Sequence, residues 1–129
     1  MDNVAVIREL VERWNAGDID GVLDLYAENG VMLSGADWPE QNTWRGHEGI
    51  RAGIDDWRAV WESSTATLDR IEAFGAKVLA TGAWISRARA SGVDGRLPIA
   101  IVFTVRDGKI VVHEWFLDHS SAIAAARGD

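Results

Sequence analysis

Few side chains in this sequence can move a proton near neutral pH: the three histidines His47, His113 and His119. An imidazole changes charge between roughly pH 5 and 8, which suits it to aldol, dehydration or isomerisation chemistry. His47 is followed by Glu48, and His119 is preceded by Asp118, so each has a carboxylate beside it. Neither belongs to an i, i+4 pair of histidines of the kind that puts two metal ligands on one helical face, and no metal is expected. The chain has no cysteine, which removes thiolate nucleophiles, disulfides and sulfur-based metal sites. Ser34 closes an apolar stretch, but no third member of a nucleophilic triad is visible around it. Asp37 lies in the loop that follows, where a turn or capping role is expected. The seven tryptophans outweigh any polar group. Each indole buries a large area and offers one N–H donor, a combination that suits flat apolar or aromatic ligands.

These side chains must be positioned by a scaffold, and the hydropathy pattern describes one. Ile7, Leu10, Val11 and Trp14 fall on one helical face, with Asp2 or Asn3 as a cap and Gly17 as a stop. Asp18 caps a second helix carrying Ile19, Val22, Leu23 and Tyr26, which ends at Glu28-Asn29-Gly30. A short strand is predicted over Val31–Ser34, and a long loop over Gly35–Gly46 holds Trp38, Pro39 and Trp44. A third helix is predicted over 47–62, with Ile50, Ile54, Trp57 and Trp61 as its stripe. Period-two strands follow over 65–74, 77–90, 97–105 and 109–117, and Asp107-Gly108 is a type I′ hairpin signal. A short alanine-rich helix is predicted over 120–127. Helices followed by hairpin-linked strands imply an α+β fold, here one domain over residues 1–129.

Composition narrows the partners. A formal charge of −7 argues against nucleic acid, which needs a basic footprint. Arg87, Arg89 and Arg96 are interrupted by Asp94 and read as a solvated hairpin. No apolar run approaches the roughly 18 residues of a membrane span, and no signal-peptide pattern opens the chain. The expectation is a cytoplasmic protein without a membrane or nucleic-acid partner. The long strands carry apolar residues on both faces, which points to a homodimer through the outer sheet face.

The segments Trp14-Asn15-Ala16-Gly17-Asp18-Ile19-Asp20, Leu25-Tyr26-Ala27-Glu28-Asn29 and Arg45-Gly46-His47-Glu48-Gly49-Ile50 carry a resemblance. So do Val105 to Val111 and the strand bearing His113. With them the chain resembles the nuclear-transport-factor-two-like superfamily and, within it, the SnoaL-like small proteins. That resemblance implies a cone-shaped, curved antiparallel sheet wrapped around the long helix, with alternate strand residues facing a cavity. By position, the inward residues are Met32 and Ser34, then Gly82, Trp84, Ser86 and Ala88, then Ile99, Ile101 and Phe103. On the last strand they are Val111, His113, Trp115 and Leu117. The groups of a ketosteroid isomerase, an aspartate base with a tyrosine and a protonated aspartate, fall on Ser34, Leu10 and Ala100 or Ile101. The Asp-Arg-Asp of limonene-epoxide hydrolases falls on Gly82, Trp84 and Trp115. Where SnoaL-like cyclases carry His-Trp-Asp, this chain has His113-Glu114-Trp115. None of the three catalytic sets is complete.

What remains is His113 as the candidate acid–base group and Ser34 as its polar companion. The candidate ligand-binding set is Met32, Trp57, Trp61, Trp84, Ile99, Ile101, Phe103, Trp115 and Leu117, with Trp38 and Trp44 on a lid loop. The reading is a pocket for a small apolar or aromatic molecule, needing neither metal nor cofactor. Three classes stay open: an isomerase, dehydratase or cyclase; a non-catalytic binder; and a structural dimerisation module.

Overall fold

The computed structural model describes residues 1–128. Helices α1 (Asn3–Asn15) and α2 (Ile19–Asp24) lead into strands β1 (Tyr26–Ser34) and β2 (Thr43–Arg45). Helix α3 (Gly46–Val60) is followed by β3 (Trp61–Phe74), β4 (Lys77–Ala88), β5 (Asp94–Arg106) and β6 (Lys109–Trp115), and α4 (His119–Arg127) ends the chain. The six strands lie in the order β2-β1-β6-β5-β4-β3. All neighbouring pairs are antiparallel except β1 with β6, which is parallel because α2 hands the chain into β1 in the direction of the last strand.

Local chemistry sets most of these boundaries. The Asp2 carboxylate accepts the Ala5 N–H at 2.7 Å to open α1, and Asp18 accepts the Gly21 N–H at 2.9 Å to open α2. Gly17 takes a φ of 74° between them. Asp107 and Gly108 both adopt positive φ, 52° and 75°, as a type I′ turn demands.

Several boundaries differ from the sequence expectation: β4 and β6 end two residues early, β5 starts three residues early, and at Tyr26 and Trp61 a sheet partner outcompetes helical periodicity. Tyr26 belongs to β1 and not to the second helix. Its neighbour Leu25 accepts the Ile110 N–H at 2.8 Å, and its own carbonyl accepts a bond from His47 Nε2 at 2.8 Å. Trp61 belongs to β3 and not to the third helix, since the Val60 carbonyl is taken by the Arg89 N–H at 3.1 Å and Trp61 pairs with Ala88. Within the expected loop, Thr43–Arg45 forms β2 against Val31–Leu33. Trp44 therefore sits on a strand, opposite Met32, instead of on a lid.

One sheet face packs against α1, α2 and α3. Its core includes Val6, Ile7, Leu10, Ile50, Ile54, Val78, Ala80, Ile99, Ile101 and Phe103, all buried. Gly53 lets α3 approach β1 and β2: a Cβ there would stand 2.7 Å from Met32 Cε and 3.0 Å from Trp44 Cγ. Gly82 admits the β3 bulge, where a Cβ would stand 2.0 Å from the Thr67 carbonyl oxygen. The opposite face is partly covered by α4, where Ala122 and Ala126 pack on Leu79, Ala100, Val102 and Phe116. Cover for that part of the outer face thus comes from the chain itself. Among the described residues no helix is long and apolar enough to cross a membrane.

Candidate functional site

The strand register puts Met32 opposite His113 and Ser34 opposite Trp115, with Phe103 and Ile101 across from the same two residues on β5. Period two then places all six on the face that meets α3. His113 is ringed by aromatic side chains. Its ring centroid lies 4.8 Å from Phe103 and 6.2 Å from Trp115, both edge-on, and 6.1 Å from Tyr26, which is nearly parallel to it.

The polar contact inside this ring is Tyr26 with His113, their Oη and Nδ1 atoms 2.7 Å apart. Tyr26 is 4% exposed, and its hydroxyl has no other partner. If Nδ1 carried the proton, the buried phenolic hydrogen would be left without an acceptor, at a cost of about 1–3 kcal/mol. Tyr26 therefore donates and Nδ1 accepts, which assigns the imidazole proton to Nε2. His113 is half-buried; Nε2 has no partner among the described residues and is not sealed off. Burial pushes the Tyr26 hydroxyl well above its usual range, so the phenol stays protonated. Burial also pushes His113 from 6.5 down to about 3. A group that titrates so low is a weak proton acceptor at neutral pH, unlike the near-neutral imidazole expected from sequence. What the arrangement offers instead is a fixed, neutral N–H donor in an aromatic setting.

Ser34 lies elsewhere in the hydrogen-bond scheme. It is 3% exposed, and its Oγ accepts the Asn42 N–H at 3.0 Å, with the Asn42 carbonyl 3.4 Å away. The hydroxyl fastens the two ends of the 35–42 loop, and no bond links it to His113. Leu117 falls outside β6 and is 48% exposed. Its N–H donates to the Asp37 carboxylate at 3.0 Å, as does that of Asp118 at 3.1 Å, and this turn directs the chain into α4. Leu117 is therefore not part of the concave wall. Trp38 keeps its Nε1 buried without a partner.

The other tryptophans gather at the far end of the concave face. Trp84 meets Trp14 at 5.6 Å and Trp57 at 5.4 Å, and Trp57 meets Trp61 at 5.6 Å. Trp57 Nε1 donates to Ser64 Oγ and Trp14 Nε1 to the Ser64 carbonyl, each at 3.0 Å. Ser86 Oγ completes the chain at 3.0 Å from Ser64 Oγ. Trp14, Trp57 and Trp84 thus fill this end of the cone, with the Trp14 and Trp57 donors already engaged. Ile99 and Ile101 are core, at 2% and 6% exposure.

Among the depressions on the surface are two that do not include His113. One of about 400 Å³ is lined by Asp20, Leu23, Asp24, His47, Glu48 and Arg51, with Arg51 and Asp20 ion-paired. The other, of about 220 Å³, lies beside Trp61. Among the described residues no cluster of His, Asp and Glu is arranged to hold a metal.

Sequence reasoning missed Tyr26 as a functional residue because its spacing matched a helical stripe. A signal was present, since a buried tyrosine needs a partner for its hydroxyl, and His113 can supply one.

The SnoaL-like domain family model matches residues 7–113 of the chain. The protein belongs to the SnoaL-like domain family. No curated protein matches it in sequence. Among solved structures it is similar to an NTF2-like protein of unknown function from Burkholderia pseudomallei, at 20% identity and TM-score 0.80 over 100% of both chains. It is also similar to TerC co-crystallised with polyporic acid, at 19% identity and TM-score 0.78 over 98% of each chain. A third similar structure is a protein of ketosteroid isomerase-like fold from Catenulispora acidiphila, in complex with trimethylamine. There the identity is 17% and the TM-score 0.76, over 94% of this chain and 91% of that one. At these identities the likenesses establish the SnoaL-like fold and not a shared activity.

Proposed function

We propose that this SnoaL-like protein binds a small apolar or aromatic molecule at the β1–β6 end of its concave face, where His113 donates a hydrogen bond to a ligand oxygen. The observation that carries this reading is the Tyr26–His113 bond of 2.7 Å, which fixes the tautomer and presents Nε2–H. A neutral imidazole that donates to a carbonyl polarises it without charge transfer, the role a lowered histidine pKa serves in other enzymes. Phe103, Trp115 and Met32 supply apolar walls, and Trp44 backs Met32 against α3. The strand residues that share this face include no carboxylate to act as base. That absence favours binding and polarisation over a proton-relay isomerase or dehydratase.

The test is calorimetric titration with a panel of one- and two-ring aromatic ketones and the matching hydrocarbons. His113→Leu is expected to weaken the ketones about tenfold, the worth of one buried hydrogen bond, and to leave the hydrocarbons unchanged. Equal effects on both would sink the reading. We further propose a homodimer through the part of the outer face that α4 leaves open, supported by Ile85 at 40% exposure on β4 and by half-buried apolar residues such as Val31, Leu33 and Val112 on β1 and β6. A sedimentation mass of one chain at working concentration would remove it.

A further inference from the structure

The groove of about 220 Å³ beside Trp61 is built from three chain segments that meet at the C-terminal end of α3. Trp14, Gly17 and Ile19 come from the α1–α2 junction, Arg58 and Trp61 from the end of α3 and the start of β3, and Arg89 from just beyond β4. The position of Arg89 is fixed. Its N–H donates to the Val60 carbonyl at 3.1 Å and its Nε to the Arg58 carbonyl at 3.2 Å. Those two bonds use the back of the residue and leave both terminal guanidinium nitrogens without a partner among the described residues. Arg58 makes no side-chain bond among the described residues. Of the other arginines, Arg13, Arg51, Arg70 and Arg87 each pair with a carboxylate, while Arg8, Arg45, Arg96 and Arg106, like Arg58 and Arg89, have no ion pair among the described residues. What sets Arg58 and Arg89 apart is that they line one groove. In a chain of formal charge −7, two guanidiniums on one groove without such a partner are a local excess of positive charge. Glu62 also lines the groove and partly offsets it. It forms no ion pair with either arginine, and it stands within electrostatic reach of Arg87, which is itself tied to Asp94.

The apolar wall is equally well defined. Trp61 stacks at a tilt on Trp57, whose own indole is held by Ser64 Oγ, so the Trp61 ring has a rigid backing. Trp61 Nε1 has no partner among the described residues and is not sealed off from solvent. The groove thus pairs a supported indole plane with a spare N–H donor and two guanidiniums. A carboxylate matches a guanidinium with two parallel bonds, and an aromatic ring matches an indole face. The volume decides the size class: drug-sized ligands occupy roughly 300–1,000 Å³, so this groove fits one ring with a short acidic arm.

We infer that the Trp61–Arg58–Arg89 groove is a binding site for a small monocyclic aromatic carboxylate, separate from the concave face around His113. The ring lies on Trp61, and the carboxylate bridges Arg58 and Arg89 at the rim. The site does not depend on the ligand proposed for His113, and each can fail alone.

The experiment titrates phenylacetate, with phenylacetamide as its uncharged isostere, into the intact protein while indole N–H resonances are recorded by NMR. Phenylacetate is expected to shift the Trp61 Nε1–H signal and to bind about tenfold more tightly than the amide, the difference one charge-assisted contact makes. Arg58→Gln and, separately, Arg89→Lys are each expected to narrow that preference, with Arg58→Gln weakening phenylacetate several-fold. Circular dichroism checks that both variants fold, and Arg58→Gln removes no protein hydrogen bond. Equal affinity for acid and amide, or an unchanged preference in Arg58→Gln, overturns the proposal. Shifts confined to the Trp115 indole also overturn it, since the ligand would then be entering the concave face, and the reading of that face would stand.

Discussion

The low proton affinity of His113 makes the stability of the fold depend on pH in a way that one substitution isolates. In the unfolded chain His113 takes up its proton near 6.5, whereas in the folded protein it does so only near 3. Between those values the unfolded state binds a proton that the native state refuses. Stability from this group is therefore fully present above 6.5, falls as the pH falls, and is lost completely only near 3. At about pH 5 the penalty is bounded at about 2 kcal/mol, from 1.36 kcal/mol per pH unit. The imidazole is only half-buried, and solvent screening reduces the figure to about 1 kcal/mol. The perturbation is His113→Gln, which keeps a neutral polar side chain able to accept from Tyr26 but cannot titrate. Urea denaturation near neutrality and near pH 5, for both proteins, supplies the comparison. Carboxylates contribute equally to the two curves and cancel in the difference. The wild type is expected to lose about 1 kcal/mol more than the variant over this interval, a midpoint shift of roughly half a molar unit at an m-value of about 2 kcal/mol/M. Superimposable pH profiles would refute the desolvation of His113. With it would go the argument that the imidazole acts as a neutral donor.

Other consequences are more local. Gly82→Ala should destabilise the fold by about 3 kcal/mol or shift the β3 bulge, because the added carbon meets the Thr67 backbone and not a movable side chain; thermal denaturation reads it directly. Ser34→Ala removes the acceptor of the Asn42 N–H and should cost about 1–2 kcal/mol, with faster proteolysis within residues 35–42. If the loop is cleaved at the wild-type rate, Ser34 is not its fastener. Tyr26→Phe leaves Nδ1 of His113 without its donor and frees the tautomer. Histidine ¹⁵N shifts should show a mixture of Nδ1–H and Nε2–H forms in place of a single one; a spectrum identical to wild type would contradict the assignment.

Much of the architecture was legible along the chain, because caps, turns and strand periodicity act within a few residues. Asp2 and Asp18 announced their helices, and Asp107-Gly108 its hairpin, since each satisfies the backbone locally. The α+β class follows from the order of helical and period-two segments, and alternation groups same-parity residues within each strand. Which face is inward for Met32, Trp84, Phe103 and His113 was implied by the family resemblance, and the register agrees. Where helical spacing and sheet pairing competed, at Tyr26 and Trp61, the sequence favoured the helix. The partners that decided otherwise, Ile110, His47 and Arg89, stand far away in the chain.

The linear chain settles that there is no thiol and no paired histidines, and, through the family resemblance, that none of the related enzymes' carboxylate sets is complete. It also marked His113 as a group to examine. What that histidine does depends on contacts that form only in the folded chain. Tyr26 and His113 are separated by 87 positions, and their bond exists only because β1 runs parallel to β6. Desolvation arises from the rings of Phe103, Trp115 and Tyr26 packed around one imidazole, so the protonation state of His113 belongs to the assembled sheet and not to any segment.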